Sequence, residues 1–277
     1  MSGFLDEMAR RSRQRVDAAV RRESLGELER RATGTAPPPP LMLSAAGFDV
    51  IAEIKLRSPA AGVLGHASDD WLGRATAYAR AGAAAVSVLT EPSRFDGSLE
   101  HLARAAAALA PLGIPAMRKD FLVDPYQVIE ARAQGAGGVL LILRMLSAAQ
   151  AAEMLDSAFR HGLFVLLEAF DRDELERAGR LAAEHAGRGL ALAGLNCRDL
   201  QTLEVVPGRF AELAASLPGG AATVAESGVA DVADAVALRR LGYRLALIGS
   251  ALMTCADPAA FIRDVLRAAR NLSAQNG

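Results

Sequence analysis

The stretch Val50-Ile51-Ala52-Glu53-Ile54-Lys55-Leu56-Arg57-Ser58-Pro59 starts as an apolar strand and ends in charge. Side chains alternate along a strand, so Glu53 and Lys55 share one face and Ala52 and Ile54 the other. A run with so few polar residues has the pattern of a strand covered on both faces, as in a parallel sheet. The reading therefore places an acid and a base together at the end of a buried strand. Burying charge is costly unless the geometry is good. Such a pair is either a structural tie or part of a site, and this stretch alone leaves both open.

From Val50 onward the same unit repeats. Apolar runs at Ala84–Leu89, Ile114–Met117, Gly138–Leu143, Leu163–Leu167, Leu190–Leu195, Ala222–Ala225 and Leu245–Ile248 each end in polar or small residues. With the first strand they make eight. Between them lie helical patterns such as Asp70–Ala81, Ala148–His161 and Asp231–Leu241, and Gly82 and Gly242 follow two of these. Strands alternating with helices predict βαβ units and a parallel sheet. Eight units predict a single α/β domain, a (β/α)8 TIM barrel. A doubly wound open sheet is the alternative, but it would gather its ligand residues near one switch point. Here nearly every strand end carries a functional group.

Ahead of the barrel, residues from about Ser2 to Ala32 read as one helical segment, with Phe4, Leu5, Met8, Val16 and Val20 near one face. Pro37–Pro40 then forms a stiff, extended connector. The expected division is a helical extension with its connector over 1–48 and a catalytic barrel over 49–277.

The 277 residues are 51% apolar and 23% charged, enough apolar content for a large core. A net charge of −1 argues against a surface built to coat a polyanion, so no nucleic-acid partner is expected. No apolar run approaches the roughly 18 residues of a membrane helix. The N-terminus lacks a signal-peptide core, and Asp6, Glu7, Glu23, Glu27 and Glu29 argue against a transit peptide. No membrane partner and a cytoplasmic location are expected. Cys197 and Cys255 are neither a disulfide framework nor a metal spacing. His66, His101, His161 and His185 are scattered and read as surface or helix-end residues. No metal is assigned.

The barrel reading brings Glu53, Glu168 and Glu226 together with Lys55 and Lys119 at one mouth. Carboxylates and amines whose surroundings push their pKa values apart become acids and bases. A strand-end lysine also serves as a Schiff-base nucleophile in other enzymes, and the residues alone do not separate the two uses. The last two strands end in Glu226-Ser227-Gly228 and Ile248-Gly249-Ser250. Small residues there let backbone N–H groups approach an anion, where barrels often bind phosphate.

Taken in order, Ala52-Glu53-Ile54-Lys55 with Arg57-Ser58-Pro59, Ser87-Val88-Leu89-Thr90-Glu91 with Phe95 and Gly97, Arg118-Lys119-Asp120-Phe121, Leu167-Glu168, Leu195-Asn196 with Arg198-Asp199-Leu200, Glu226-Ser227-Gly228, and Ile248-Gly249-Ser250-Ala251-Leu252-Met253 resemble the indole-3-glycerol-phosphate synthase family over nearly the whole chain. The resemblance implies a carboxy-lyase of tryptophan biosynthesis. Its substrate would be 1-(2-carboxyphenylamino)-1-deoxyribulose 5-phosphate, which closes a ring and loses carbon dioxide and then water. It implies no cofactor. Lys119 would be the acid of ring closure, and Lys55 would bind the substrate carboxylate or phosphate and share in proton transfer. Glu53 and Glu168 would carry acid–base work, with Asn196 beside them. Ser58, Arg198, Glu226 and Ser227 would hold the substrate, and Leu89, Phe95 and Leu195 would face its aromatic ring. Gly228, Gly249 and Ser250 would hold phosphate.

This chain departs from the commoner pattern at Leu56, Ala60, Phe170 and Cys197, and none of these removes a proposed acid–base group. The family also implies a loop near Arg57–His66 that moves over the site. The alternatives are a sugar-phosphate isomerase on the same barrel, such as phosphoribosylanthranilate isomerase, or a silent barrel that binds a phosphorylated ligand or a partner enzyme. A monomer is expected, with weak contact to other tryptophan-pathway enzymes as its one macromolecular association.

Overall fold

A computed structural model describes residues 3–59, 62–64, 70–199, 202–206 and 208–272. Two helices come first: α1 (Phe4–Arg22) and α2 (Leu25–Gly34). The single helix expected from the sequence is broken at Ser24. Its hydroxyl accepts from Glu27 N, and the Glu27 carboxylate accepts from Ser24 N, a reciprocal cap that starts a new helix.

The barrel strands are β1 (Asp49–Ile54), β2 (Ala85–Leu89), β3 (Ala116–Lys119), β4 (Gly138–Ile142), β5 (Phe164–Ala169), β6 (Ala191–Asn196), β7 (Ala222–Glu226) and β8 (Leu245–Ile248). All pair in parallel with their neighbours, and β1 pairs with both β2 and β8, so the sheet closes. This is the expected (β/α)8 barrel, not an open sheet. Its outer helices are α3 (Trp71–Arg80), α4 (Leu99–Leu109), α5 (Pro125–Ala133), α6 (Ala148–Arg160), α7 (Arg172–Glu184), α8 (Val232–Arg240) and α9 (Pro258–Asn271). Between β6 and β7 the described chain has only a short helical turn, Arg209–Glu212, and a 3-10 turn. Gly82 (φ +103°) and Gly242 (φ +98°) stand just past the ends of α3 and α8, in the left-handed region where a side chain is disfavoured.

Period-two alternation splits the core into two shells. Val50, Ala52 and Ile54 of β1, with Val86 and Val88 of β2, pack outward with residues of the helices. Ile51, Met117, Leu140, Phe164, Leu166, Leu192, Val224 and Leu247 fill the barrel. Side chains in such a barrel stack in layers drawn from alternate strands. Register places Glu53, Lys119, Glu168 and Glu226 one inward position beyond Ile51, Met117, Leu166 and Val224 on the odd strands β1, β3, β5 and β7. The upper odd-strand layer is thus titratable throughout. The even strands supply Ser87, Leu140, Gly194 and Leu247 between these levels.

The extension packs on the barrel. Val16, Ala19, Leu28 and Ala32 bury against Tyr126, Ile129 and Ala133 of α5, and Tyr126 Oη donates to Glu23 O at 2.9 Å. Met8 and Leu41 join the interior cluster. His161 and His185 lie just past the ends of α6 and α7, the helix-end positions expected of them. His66 and Ala60, and much of the loop expected to move, lie outside the described residues.

Candidate active site

The mouth of the barrel opens into a cavity of about 580 Å³. That is an ordinary size for a small-molecule site. On its floor the Lys119 ammonium is ringed by carboxylates. Lys119 Nζ donates to Glu226 Oε2 at 3.0 Å and stands 3.5 Å from Glu168 Oε2 and 3.9 Å from Glu53 Oε2. Lys55 Nζ lies 2.9 Å from Glu53 Oε1. Glu53 near the end of β1 and Lys55 just beyond it thus share one face, as alternation requires.

The surroundings push these groups in different directions. Burial alone would drive Lys119 to shed its proton, but Glu226, Glu168 and Glu53 outweigh it and hold the amine well above the ordinary lysine range. Burial would likewise favour neutral Glu53, yet Lys55 and Lys119 hold it below the ordinary carboxylate range. Glu226 goes the other way. Burial and the Glu168 charge push it up to about 8, with Lys119 opposing. Its Oε1 has no hydrogen-bond partner among the described residues. One layer therefore sets an amine held charged beside a carboxyl whose proton affinity is lowered and another whose proton affinity is raised.

Hydrogen bonds orient the rest. Asn196 Nδ2 donates to Glu168 Oε1 at 2.9 Å, and Arg198 N donates to Asn196 Oδ1 at 2.9 Å. Arg209 Nη1 donates to Asn196 O at 3.0 Å, so a residue outside the sequence motifs steadies this strand end. Arg198 lines the cavity, and its Nη1 donates to Leu203 O at 2.6 Å. Leu203 takes a left-handed φ of +64° there. This contact makes Arg198 a tie for its own loop as well as a wall of the cavity.

The cavity has two unlike walls. One is aromatic and aliphatic: Phe95 and Phe121 lie 5.9 Å apart, Phe4 meets Phe121 edge-on at 5.7 Å, and Leu89, Leu140 and Ile142 continue the surface. The other is lined by Ser227, Gly228, Val229, Gly249, Ser250 and Ala251. Ser227 (φ +66°) and Gly228 (φ +81°) are both left-handed, and a non-glycine residue held there marks a backbone constrained by its surroundings. Ser58 and Pro59 also border the cavity. Among the described residues, no group of three or more His, Cys, Asp or Glu is disposed to hold a metal ion.

The residues named from sequence largely converge, with two corrections. Leu195, expected against an aromatic ring, is buried in the outer shell with the helices. Asn196 points inward, so its neighbour on the strand must point out. Glu226, expected to touch substrate directly, is fully buried and does not border the cavity. It lies behind Lys119 and acts on it. The strand-end pattern was also too generous. Glu91 bonds Ser93 N and Arg94 N, and Arg144 reaches Asp171 and Glu174. Arg144 also lies 4.9 Å from the Phe170 ring centre, which gives that departure from the family pattern a packing role. Cys197 is wholly buried in the outer shell, and Leu56 packs there too. Phe4 and Phe121 were missed as wall residues. Phe121 lay inside a motif already singled out, whereas nothing in the sequence ties Phe4 to the barrel mouth.

Residues 5–265 match the family model described as indole-3-glycerol phosphate synthase. The chain is 41% identical over 258 residues to an indole-3-glycerol phosphate synthase of Mycobacterium tuberculosis (strain CDC 1551 / Oshkosh), covering 92% of this chain and 91% of that protein. It is 40% identical, with the same coverage, to one of Mycobacterium ulcerans (strain Agy99). Among solved structures, a 3-hexulose-6-phosphate synthase aligns with a TM-score of 0.57 at 20% identity, over 79% of this chain and 99% of that one. That likeness speaks to the barrel fold alone. The family match and the identity to the mycobacterial enzymes together place this chain in the indole-3-glycerol phosphate synthase family.

Proposed function

We propose that this protein is a carbon–carbon lyase that converts 1-(2-carboxyphenylamino)-1-deoxyribulose 5-phosphate to indole-3-glycerol phosphate, carbon dioxide and water in tryptophan biosynthesis. The observation that carries the reading is Lys119, held charged among three carboxyl groups on the floor between an aromatic wall and a wall of small residues. The carboxyphenyl ring lies against Phe95, Phe121 and Phe4, and the phosphate lies at Ser227–Gly228 and Gly249–Ser250. The chain of the sugar then crosses over Lys119. Lys55 borders the same cavity and stands beside Gly249, where it can meet the substrate's negative charge.

In the first step the ring carbon that bears the carboxylate attacks the ribulose carbonyl carbon. The carbonyl oxygen takes the Lys119 proton. Loss of carbon dioxide returns the carbon–carbon electron pair to the ring. The new hydroxyl is then protonated and leaves as water while a carboxylate removes a proton from the five-membered ring. Glu53, held ionised, suits the base, and its partner Lys55 suits the acid. Glu168, oriented by Asn196, is the second carboxylate in reach. Each such proton transfer is worth roughly 10²–10⁴ in rate. The protein works as a cytoplasmic monomer, with the extension and barrel forming its two parts.

The test follows indole-3-glycerol phosphate fluorescence when purified protein meets the substrate with no added metal or cofactor, beside Lys119→Ala. Turnover in the parent and its loss in the variant are expected. A folded parent that binds without turning over would support a silent barrel instead. Absence of binding would remove the substrate assignment.

A further inference from the structure

We propose that Gly194 is a positioning residue: by carrying no side chain it leaves the seat that Glu226 Oε1 fills, and so fixes where that carboxyl meets Lys119. The inference rests on the reaction proposed above and concerns a residue that reaches neither the cavity nor the substrate. Gly194 lies on β6 at the level of Ser87, Leu140 and Leu247, and it is the one member of that level without a side chain. A Cβ built on Gly194 would overlap Glu226 Oε1 and come within 2.9 Å of Leu166 Cδ1. The carboxyl thus fills a place in the barrel packing that a side chain would otherwise take.

This seat gives Glu226 its odd geometry. One oxygen is directed into the packed interior, where Oε1 finds no hydrogen-bond partner among the described residues. The other is left to accept from Lys119 at 3.0 Å. The charged and titratable groups acting on Glu226 are Lys119 from β3, Glu168 from β5 and Glu53 from β1. A carboxyl pushed out of the seat would swing toward Lys119 and Glu168 and change the field around the acid of ring closure. Mid-strand glycine is otherwise unfavourable, which makes a close neighbour the physical reason to keep one here. Gly249 shows the same device at the cavity edge, where a Cβ would overlap Glu53 Oε1.

The test is a double-mutant cycle of Gly194→Ala with Glu226→Ala, read by steady-state kinetics and by thermal unfolding. In the parent background, Gly194→Ala is expected to lower kcat by about 10²-fold, the order expected when a catalytic group is misplaced by about 1 Å. KM should stay close to parental, because the cavity walls are untouched. Thermal stability should fall. In the Glu226→Ala background the seat is empty, so Gly194→Ala should cost neither further turnover nor stability. Equal stability losses in both backgrounds would assign the effect to Leu166 packing and overturn the proposal, as would a parental kcat in Gly194→Ala. The unfolding cycle needs no substrate. A parent without turnover would overturn the proposed reaction while the seat itself still stands or falls on unfolding.

Discussion

Arg118, Lys119 and Asp120 are consecutive, yet they serve two ion networks built on opposite rules. Behind the strand, the charges are matched. Arg118 donates to Thr90 Oγ1, Gln127 O, Glu130 Oε2 and Asp120 Oδ2, and Asp120 Oδ1 accepts from Arg15 at 2.5 Å and from Phe121 N. Burial would raise the Asp120 pKa, but Arg118, Arg15, Thr90 and the Phe121 amide hold it below the ordinary range. In front, three carboxyl groups compete for Lys119, and one oxygen of Glu226 has no hydrogen-bond partner among the described residues. The matched network ties α1 to the barrel. The mismatched one keeps a proton in an unusual place, and that is what proton transfer needs.

The comparison breaks most sharply at Lys119. Lys119→Ala should lower kcat by roughly 10²–10⁴, while calorimetric binding of an inert substrate analogue persists. Similar losses from Arg118→Ala, with stability unchanged, would show that the two networks are not distinct. Next, Asp120→Ala leaves Arg118 and Arg15 without their shared partner, and urea unfolding should show a loss of about 3–5 kcal/mol. A loss near zero would mean the rear network adds no stability.

The two networks should also answer pH with opposite signs. Glu226 binds its proton more tightly when folded, so its contribution is full below the ordinary carboxylate range and is lost as pH rises to about 8. Asp120 is depressed when folded, so its contribution is present above the ordinary aspartate range and is lost as pH falls through the folded value. Melting curves should show Glu226→Gln gaining on the parent between pH 5 and about 8, by the linkage of proton uptake to folding. Asp120→Asn should instead lose its disadvantage at acid pH. A Glu226→Gln curve parallel to the parent would remove the idea that folding raises the proton affinity of Glu226. The smallest effect belongs to Arg15→Ala. Arg15 is partly exposed, so its loss should cost about 1 kcal/mol or less and shrink with added salt.

Much of this site was legible because strand alternation is strict. Glu53 and Lys55 had to share a face, and the strand ends had to meet once eight βα units closed. The same rule argued against Leu195 as soon as Asn196 was placed inside. Glu226 was legible as a barrel residue but not as a buried one. Its depth depends on an empty place on β6, and Gly194 reads in sequence as a weak strand residue with no stated purpose. Phe4 was illegible for another reason. It reaches the cavity only because α1 packs on the barrel, a contact between segments far apart along the chain, as the Arg15–Asp120 pair at 105 residues and the Ser12–Gln127 pair at 115 residues show.

The order of apolar runs and strand-end charges determined the barrel, the layer of acids and amines, and the family, because periodicity and local chemistry are written residue by residue. Tertiary structure alone decided which acid holds its proton more tightly, which phenylalanine of the extension reaches the cavity and which glycine makes room. Those outcomes depend on distances of a few ångströms between strands far apart in the chain, where burial and neighbouring charge act together.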